Sequence, residues 1–195
     1  MRKINSKGFT LIELLAVITI MGILLLVAIP AISKVIENSR KDAFVNISAK
    51  YIDAVRNSVM SDSIECVPVG GGEKLIASAL PAGTYNLRID TTTEETQSLV
   101  EKGGKSPFGG APLYGYVVFS IDPESNKSAE YYIALTDSSN HGYLELYKEG
   151  SLRRANVKTA TGGNFKQDLL SKIELSGSDF SALASLADNR CSVIN

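Results

Sequence analysis

The sequence predicts an α+β protein: a long N-terminal hydrophobic and then amphipathic α-helix packs on a small antiparallel β-meander, and short C-terminal helices follow. Three observations support this. Residues 14–33 are uncharged and almost wholly apolar, a helical apolar pattern continues to about residue 61, and three segments of alternating polarity lie within residues 114–147. The 195 residues suffice for one ordinary domain plus an extra element.

The first half of the predicted helix has the length of a membrane span. As a helix, residues 14–33 cover about 30 Å, the hydrocarbon thickness of a bilayer. A buried core helix of this length normally has a polar face. A secretory signal peptide is the stronger rival, because Arg2, Lys3 and Lys7 form a basic leader. The apolar run is longer than the hydrophobic region of a secretory signal peptide, and Pro30 disrupts the nearest match to a signal-peptidase site. A hydrophobic segment that stays in the mature protein is therefore favoured. Basic residues on both sides leave its orientation open.

The second half of the helix is amphipathic. At 100° per residue its apolar side chains cover an arc of about 200°. A narrow polar stripe lies opposite them: Asp42, Asn46, Asp53 and Asn57. So wide an arc favours a helix buried on two sides, by its own domain and by neighbouring subunits.

Residues 114–121, 130–136 and 143–147 alternate in polarity and predict the antiparallel meander. One face is predicted to cover the helix: Val117, Phe119, Ile121, Tyr131, Ile133, Leu135, Leu144 and Leu146. The opposite face is predicted to carry Tyr116, Tyr132, Tyr143 and Tyr147. These tyrosines could form a stacking surface for a ligand or DNA. Ordinary cross-strand packing is favoured, because no basic residues surround them.

The remaining segments predict smaller elements. Gly70, Gly71 and Gly72 predict a flexible connector, and residues 91–101 a short helix. Two short amphipathic helices are expected at residues 165–172 and 179–188, the second capped by Ser178.

Glu13 is an acid next to the apolar run. A carboxylate at the centre of a bilayer costs roughly 2.5–3.5 kcal/mol on insertion scales, and less near the end of a span. One hypothesis is that Glu13 reaches the headgroup layer. The other is that it pairs with a cation inside an assembly.

The stretch from Gly8 through Leu14, GFTLIEL, follows a short basic leader and precedes an apolar helix. It resembles the class III signal of type IV prepilins over residues 2 to about 45. The resemblance implies that a prepilin peptidase cleaves between Gly8 and Phe9 and that Phe9 is then N-methylated. Glu13 matches the family's glutamate. Gly22 and Pro30 match its helix-loosening glycine and kinking proline.

These matches imply three regions: a leader at 1–8, a helix at 9–62 for the membrane and filament core, and an extracellular head at 63–195. Cleavage would create an amine on Phe9. The Glu13 carboxylate of one subunit could then meet the Phe9 amine of its neighbour, which avoids a buried unpaired charge. The implied partners are other copies of the chain, the prepilin peptidase, the pilus assembly machinery and the membrane. The implied location is the cytoplasmic membrane, and afterwards a cell-surface filament.

Cys66 and Cys191 are the only two cysteines. An exported domain favours a disulfide between them, which would be worth roughly 4–5 kcal/mol in the chain-entropy model. Two inert buried thiols are the alternative.

The sequence offers little for catalysis or cofactors. His141 has no evident serine or cysteine partner, the turn acids lack calcium-loop spacing, and two cysteines with one histidine make a zinc site unexpected. Without the leader's three cations the net charge changes from −1 to −4, which disfavours a general nucleic-acid binder. No enzyme activity, metal or cofactor is therefore expected. The alternatives to a pilin are a pseudopilin of a secretion or DNA-uptake system and an anchored binding protein that does not polymerise.

Overall fold

The computed structural model describes residues 8–68, 70–94, 99–100, 104–122, 129–139, 141–158 and 190–194. The chain divides into two compact units, Met1–Ser39 and Arg40–Asn195. Helix α1, Leu11–Met60, begins in the first unit and ends in the second. The predicted long N-terminal helix is therefore confirmed.

The first unit exposes apolar side chains along its helix. The exposed fraction of its large apolar residues runs from 47% at Ile36 to 87% at Phe9. Its hydroxyl groups bond the helix's own backbone: Thr19 Oγ1 and Ser33 Oγ donate to carbonyl oxygens of the preceding turn at 2.8 and 2.9 Å. Such a surface suits surroundings that offer no hydrogen bonds.

In the second unit, α1 buries one stripe of side chains. They recur at helical spacing: Phe44, Ser48, Tyr51, Ile52 and Val55. The buried Ser48 hydroxyl donates to the carbonyl oxygen of Phe44 at 2.9 Å, so this polar group is satisfied. The apolar residues at its flanks, Val45, Ile47 and Val59, are partly buried against the same core. The wide apolar arc is thus largely covered by the chain's own domain.

A Schellman motif ends α1. Asp62 has a φ of 51°, and the amide of Ser63 donates to the carbonyl of Ser58 at 2.9 Å. Aspartate tolerates this left-handed conformation better than most residues do. The Asp62 carboxylate also accepts a hydrogen bond from the amide of Ser78 at 2.7 Å. The residue that stops the helix therefore also fixes the segment beyond it.

Seven strands form one sheet. They are β1 (Ile64–Cys66), β2 (Leu75–Ile76), β3 (Gly83–Asp90), β4 (Leu113–Ile121), β5 (Tyr131–Asp137), β6 (Tyr143–Lys148) and β7 (Arg190–Val193). Their order is β2-β1-β7-β3-β4-β5-β6. All neighbours are antiparallel except β3 and β7, which are parallel.

The α+β class is confirmed, but the meander is only part of the sheet. The three predicted segments correspond to β4, β5 and β6, whereas β1, β2, β3 and β7 were not predicted. Strands β1, β2 and β7 have two to four residues, too few for a periodic signal. The sequence of strand β3 does carry a periodic signal, because its buried Tyr85, Leu87 and Ile89 alternate with the polar Asn86 and Arg88.

The predicted faces of β6 are wrong beyond Leu144. The register against β5 shifts between Ile133 and Leu135, so that Leu144 lies opposite Leu135 but Tyr147 lies opposite Ile133. An extra residue at such a bulge reverses the alternation of side chains. Tyr147, predicted on the outer face, packs against the core instead of Leu146.

Two 3-10 turns, Glu149–Ser151 and Arg154–Asn156, follow β6. They lie across one flank of α1. Glu149 pairs with Arg56, and the guanidinium of Arg56 lies 4.8 Å from the ring centre of Tyr131. The predicted helices at 165–172 and 179–188, and much of the one at 91–101, lie outside the described residues.

Candidate functional site

The N-terminal end of α1 holds the residues that the resemblance singled out. Gly8 and Phe9 precede the helix, and among the described residues no atom beyond the chain neighbours of Gly8 lies within 4 Å of the position that a Cβ on Gly8 would take. The Phe9 side chain is 87% exposed. Both residues therefore lie before the first turn of the helix in the part of the chain that the structure describes.

Glu13 closes a capping box with Thr10. Thr10 is the residue before the first helical position, and Glu13 is the third residue of the helix. The carboxylate Oε2 of Glu13 accepts from the amide of Thr10 at 2.8 Å and from its hydroxyl at 2.7 Å. The amide of Glu13 reaches the hydroxyl of Thr10 at 3.3 Å. The pair thus satisfies two backbone donors at the start of the helix.

This arrangement gives the carboxylate a partner within its own chain. Thr10 was not among the predicted partners of Glu13, which were lipid headgroups or a neighbour's amine. The signal was present, because Thr10-x-x-Glu13 directly before an apolar run is the capping-box pattern. Cleavage after Gly8 would leave both residues and both hydrogen bonds in place.

The apolar part of α1 passes the length and hydropathy test for a membrane span. Among the described residues it is the one helix that does, with a mean hydropathy of 2.8, and none of that window is buried. Gly22 and Pro30 lie within it, and α1 continues through Pro30. Proline lacks the N–H that would donate to the carbonyl four residues earlier, so it weakens the helix at that point.

A disulfide joins Cys66 and Cys191. These residues lie opposite each other on β1 and β7, with Cα atoms 4.0 Å apart. Beside the bond, the Lys74 ammonium contacts both the Glu65 carboxylate at 2.6 Å and the Ser192 hydroxyl at 2.7 Å. The hydrogen bond from Lys74 lowers the pKa of Glu65. The C-terminal strand is therefore tied to the strand that follows α1 by backbone, side-chain and covalent bonds.

Asp137, one of the acids that were weighed for metal binding, has a structural role. The Asp137 carboxylate is fully buried, and it accepts from the Ser106 hydroxyl at 2.7 Å and from the amide of His141 at 2.9 Å. It therefore organises the turn between β5 and β6. Within the described part of the chain, no three His, Cys, Asp or Glu side chains converge as a metal site would require.

The tyrosines predicted for the outer sheet face do not form one surface. Tyr116 and Tyr132 are half-buried there, and the Tyr132 hydroxyl donates to Glu130 at 2.9 Å. With Tyr147 on the core face, the predicted row of four is broken. The geometry favours cross-strand packing over a stacking platform.

Comparison with known families identifies the N-terminal segment. Residues 3–29 match the prokaryotic N-terminal methylation motif. The chain carries the class III signal of type IV pilins. No curated protein and no solved structure matches this chain.

The motif supports a type IV pilin-like or pseudopilin-type protein of a structural kind. Together with the exposed apolar helix, it fits a prepilin-type membrane-anchored protein. The match ends at residue 29, so it says nothing of the sheet or of the disulfide.

Proposed function

We propose that this chain is a structural subunit of a type IV pilus-like filament. It is made as a membrane-anchored precursor, cut between Gly8 and Phe9 by a prepilin peptidase, and N-methylated on Phe9. The mature subunit then leaves the membrane and joins a filament at the cell surface through α1. No catalytic step by the chain itself is part of the proposal.

One observation carries the proposal: the methylation motif leads directly into a helix whose apolar residues are exposed. Removal of apolar surface from water is favourable by about 25 cal/mol for each Å². A helix with so many exposed apolar side chains is therefore stabilised by burial against lipid or protein. A bilayer covers it before assembly, and packed copies of the same helix cover it in a filament. A single chain can thus occupy both states without refolding its head.

In this scheme, Glu13 sets the register between the helices of neighbouring subunits. Cleavage creates a cationic amine on Phe9, four residues before Glu13. In the assembled helices the Glu13 carboxylate of one subunit pairs with the Phe9 amine of the next. A desolvated charge without a partner costs about 3–5 kcal/mol, so subunits stacked out of register are disfavoured.

Mass spectrometry of the native N-terminus tests the processing step. The expected mature chain begins at Phe9 and is one methyl group heavier than the unmodified sequence. An intact Met1, or a first residue near Ala31, would overturn the prepilin mechanism.

Electron microscopy of sheared cell surfaces, with the subunit identified by mass spectrometry, tests the filament. Long surface filaments built from this chain are expected. Short filaments that do not extend beyond the cell wall would favour a pseudopilin. A processed chain that remains in the membrane would favour an anchored binding protein.

A further inference from the structure

One face of α1 in the second unit is polar and exposed. Its side chains recur at spacings of four, three and four residues: Asn46, Lys50, Asp53 and Asn57. At 100° per residue they fall within an arc of about 60°, on the side of the helix opposite the buried stripe. Alternate spacings of three and four residues are typical of the contact line between packed helices. These four side chains are called the docking stripe below.

The flanks of this helical segment contact the chain's own second unit. On one flank, the guanidinium Nε of Arg154 donates to Asp42 at 2.6 Å, and Glu149 pairs with Arg56. On the other flank, Ile47 is partly buried against the core. In the part of the chain that the structure describes, the docking stripe is therefore the face of this segment that is left open to another molecule.

For two copies that run in the same direction, the docking stripe is complementary to itself only when they are staggered. At equal height, Lys50 would face Lys50 and Asp53 would face Asp53, which places like charges together. A shift of three to four residues, about 4.5–6 Å of helical rise, instead brings Asp53 of one copy to Lys50 of the next. The same shift brings Lys50 to the side-chain oxygen of Asn46, and the side-chain amide of Asn57 to Asp53. Each of these contacts joins a donor to an acceptor.

Asp53 has room for such a contact beside the one it already makes. Its Oδ1 accepts from Arg56 of its own chain at 2.7 Å, and its side chain is still 59% exposed. A carboxylate has about four lone-pair sites, so a second cation can bind beside the first. Arg56 is itself paired with Glu149, which holds the Asp53 carboxylate in position before a neighbour arrives.

We propose that the docking stripe binds the same stripe of a neighbouring copy of this chain, shifted along the helix by three to four residues. This inference rests on the proposed filament, in which all copies run in the same direction. A contact between copies at equal height is symmetric and ends at a dimer. A staggered contact joins two different parts of one surface, so it leaves each end of the assembly open to a further copy. The second unit thus contributes to open-ended assembly.

Oxidative crosslinking of the full chain, in membranes and in filaments, tests the stagger. Both native cysteines are joined in the disulfide, so introduced thiols are the only free ones. Copper-catalysed oxidation joins two thiols where their Cα atoms are about 4–7 Å apart. When Lys50→Cys and Asp53→Cys chains are produced together, peptide mapping should find positions 50 and 53 joined. Lys50→Cys alone reports a contact at equal height, and Asn46→Cys with Asn57→Cys reports an antiparallel one. Both reporters should give little product.

Exchange of the two charges tests whether the contact contributes to assembly. Lys50→Glu and Asp53→Lys, each made alone, place like charges opposite each other in neighbouring copies. Each should lower the filament count about tenfold or more, because like charges that face each other across an interface are strongly disfavoured. Lys50→Glu combined with Asp53→Lys restores the opposite charges and should restore the count. Arg190→Glu makes the same change in charge at an exposed position on β7 and should leave the count unchanged.

The two measurements together separate this inference from the proposed filament. Wild-type filaments with unchanged counts in both single variants overturn the docking stripe alone. So do a combined variant that stays defective, an equal loss in Arg190→Glu, or a main product from either reporter. If the wild-type chain forms no filament, the proposed function is overturned and crosslinking in the membrane decides the stripe. Joined positions 50 and 53 would then support the stripe, and their absence would overturn it as well.

Discussion

The Glu13 carboxylate accepts hydrogen bonds from Thr10 in its own chain and is proposed to gain a further partner in the assembly. Within the chain, Thr10 donates two hydrogen bonds to it and thereby fixes the first helical turn. In a filament, the Phe9 amine of a neighbour adds an opposite charge. Four oxygen lone pairs allow a carboxylate to accept from both partners at once. The cap therefore holds the acid in position before pairing begins.

Substitutions at Glu13 separate the cap from the charge. Glutamine fits a capping box as glutamate does, so Glu13→Gln keeps the cap and loses the charge, whereas Glu13→Ala loses both. If pairing drives assembly, both variants should insert in the membrane and both should lose filaments, since each added subunit buries an unpaired amine at a cost of about 3–5 kcal/mol. Filament counts by electron microscopy, with membrane levels matched by immunoblot, measure this.

Normal filament numbers in Glu13→Gln, with none in Glu13→Ala, would contradict charge pairing and favour the cap alone. Thr10 supplies the matched control. Thr10→Ser keeps the capping hydroxyl and should assemble normally. Thr10→Val should weaken the first turn by about 0.5–2 kcal/mol and lower the yield without abolishing filaments.

Tyr51 makes the second unit, Arg40–Asn195, sensitive to high pH. Burial in the core raises the pKa of its hydroxyl from 10.0 to about 12. Because the folded-state pKa is the higher one, the stabilisation is fully present below pH 10 and is lost between about pH 10 and 12. Its size is on the order of 2 kcal/mol after solvent screening is allowed for.

Chemical denaturation of the head as a function of pH measures this effect. Tyr51→Phe should remove the part of the pH dependence between pH 10 and 12 that Tyr51 contributes. An unchanged slope in Tyr51→Phe would show that this phenol does not govern the alkaline transition.

At the scale of elements, the C-terminal strand completes the sheet. Strand β7 lies between β1 and β3, so the strand that follows α1 reaches the β3–β6 meander only through the last residues of the chain. Its register with β1 covers three residue pairs, but that with β3 covers two. The disulfide reinforces the β1 side. A position in the sheet that depends on a partner 125 residues away cannot be read from local periodicity.

Removal of the disulfide should destabilise the head. Cys66→Ala with Cys191→Ala frees a loop whose ends are 125 residues apart, and the chain-entropy model gives a loss of about 4–5 kcal/mol. Urea unfolding measures the loss, and hydrogen exchange should show the amides of β7 opening first. A reducing agent should bring the wild-type head to the same stability and leave the double variant unchanged. Equal stability of variant and wild type would contradict this account.

The contact between β4 and β5 requires a residue without a side chain. A Cβ on Gly115 would lie 2.0 Å from the carbonyl oxygen of Ala134. Gly115→Ala should therefore shift the strands and cost at least about 1–3 kcal/mol, as overpacking does. Thermal unfolding of the head checks this value.

Gly150→Ala is the matched control, because nothing lies within 4 Å of a Cβ at that position. It should change stability little. A Gly115→Ala head as stable as the wild type would mean that β4 and β5 separate more easily than their register indicates.

For the whole molecule, contiguous sequence features predicted the methylation motif and the long helix, whereas pairing between distant segments was not predicted. The motif at residues 3–29 and the apolar run are contiguous in sequence, so local chemistry is enough to recognise them. The core stripe of α1 and strands β4 to β6 follow from periodicity for the same reason. The bulge beside Leu146 and the insertion of β7 depend on pairing between distant segments. Those are the features that the pattern of a single strand does not determine.

The division of the chain at Ser39 predicts that the second unit folds without the first. The buried core residues are all numbered 44 or higher, so deletion of residues 1–39 removes no described core side chain. The shortened chain should be soluble without detergent, contain the Cys66–Cys191 bond and unfold cooperatively, yet form no filament.

Deletion of residues 1–55 is the matched control. It also removes Phe44, Tyr51, Ile52 and Val55, which are fully buried on the sheet, and burial of each such side chain is worth about 1.5–3 kcal/mol. That chain should fail to fold. Circular dichroism and non-reducing peptide mapping compare the two deletions. An unfolded chain after the shorter deletion would show that the head depends on the apolar half of α1.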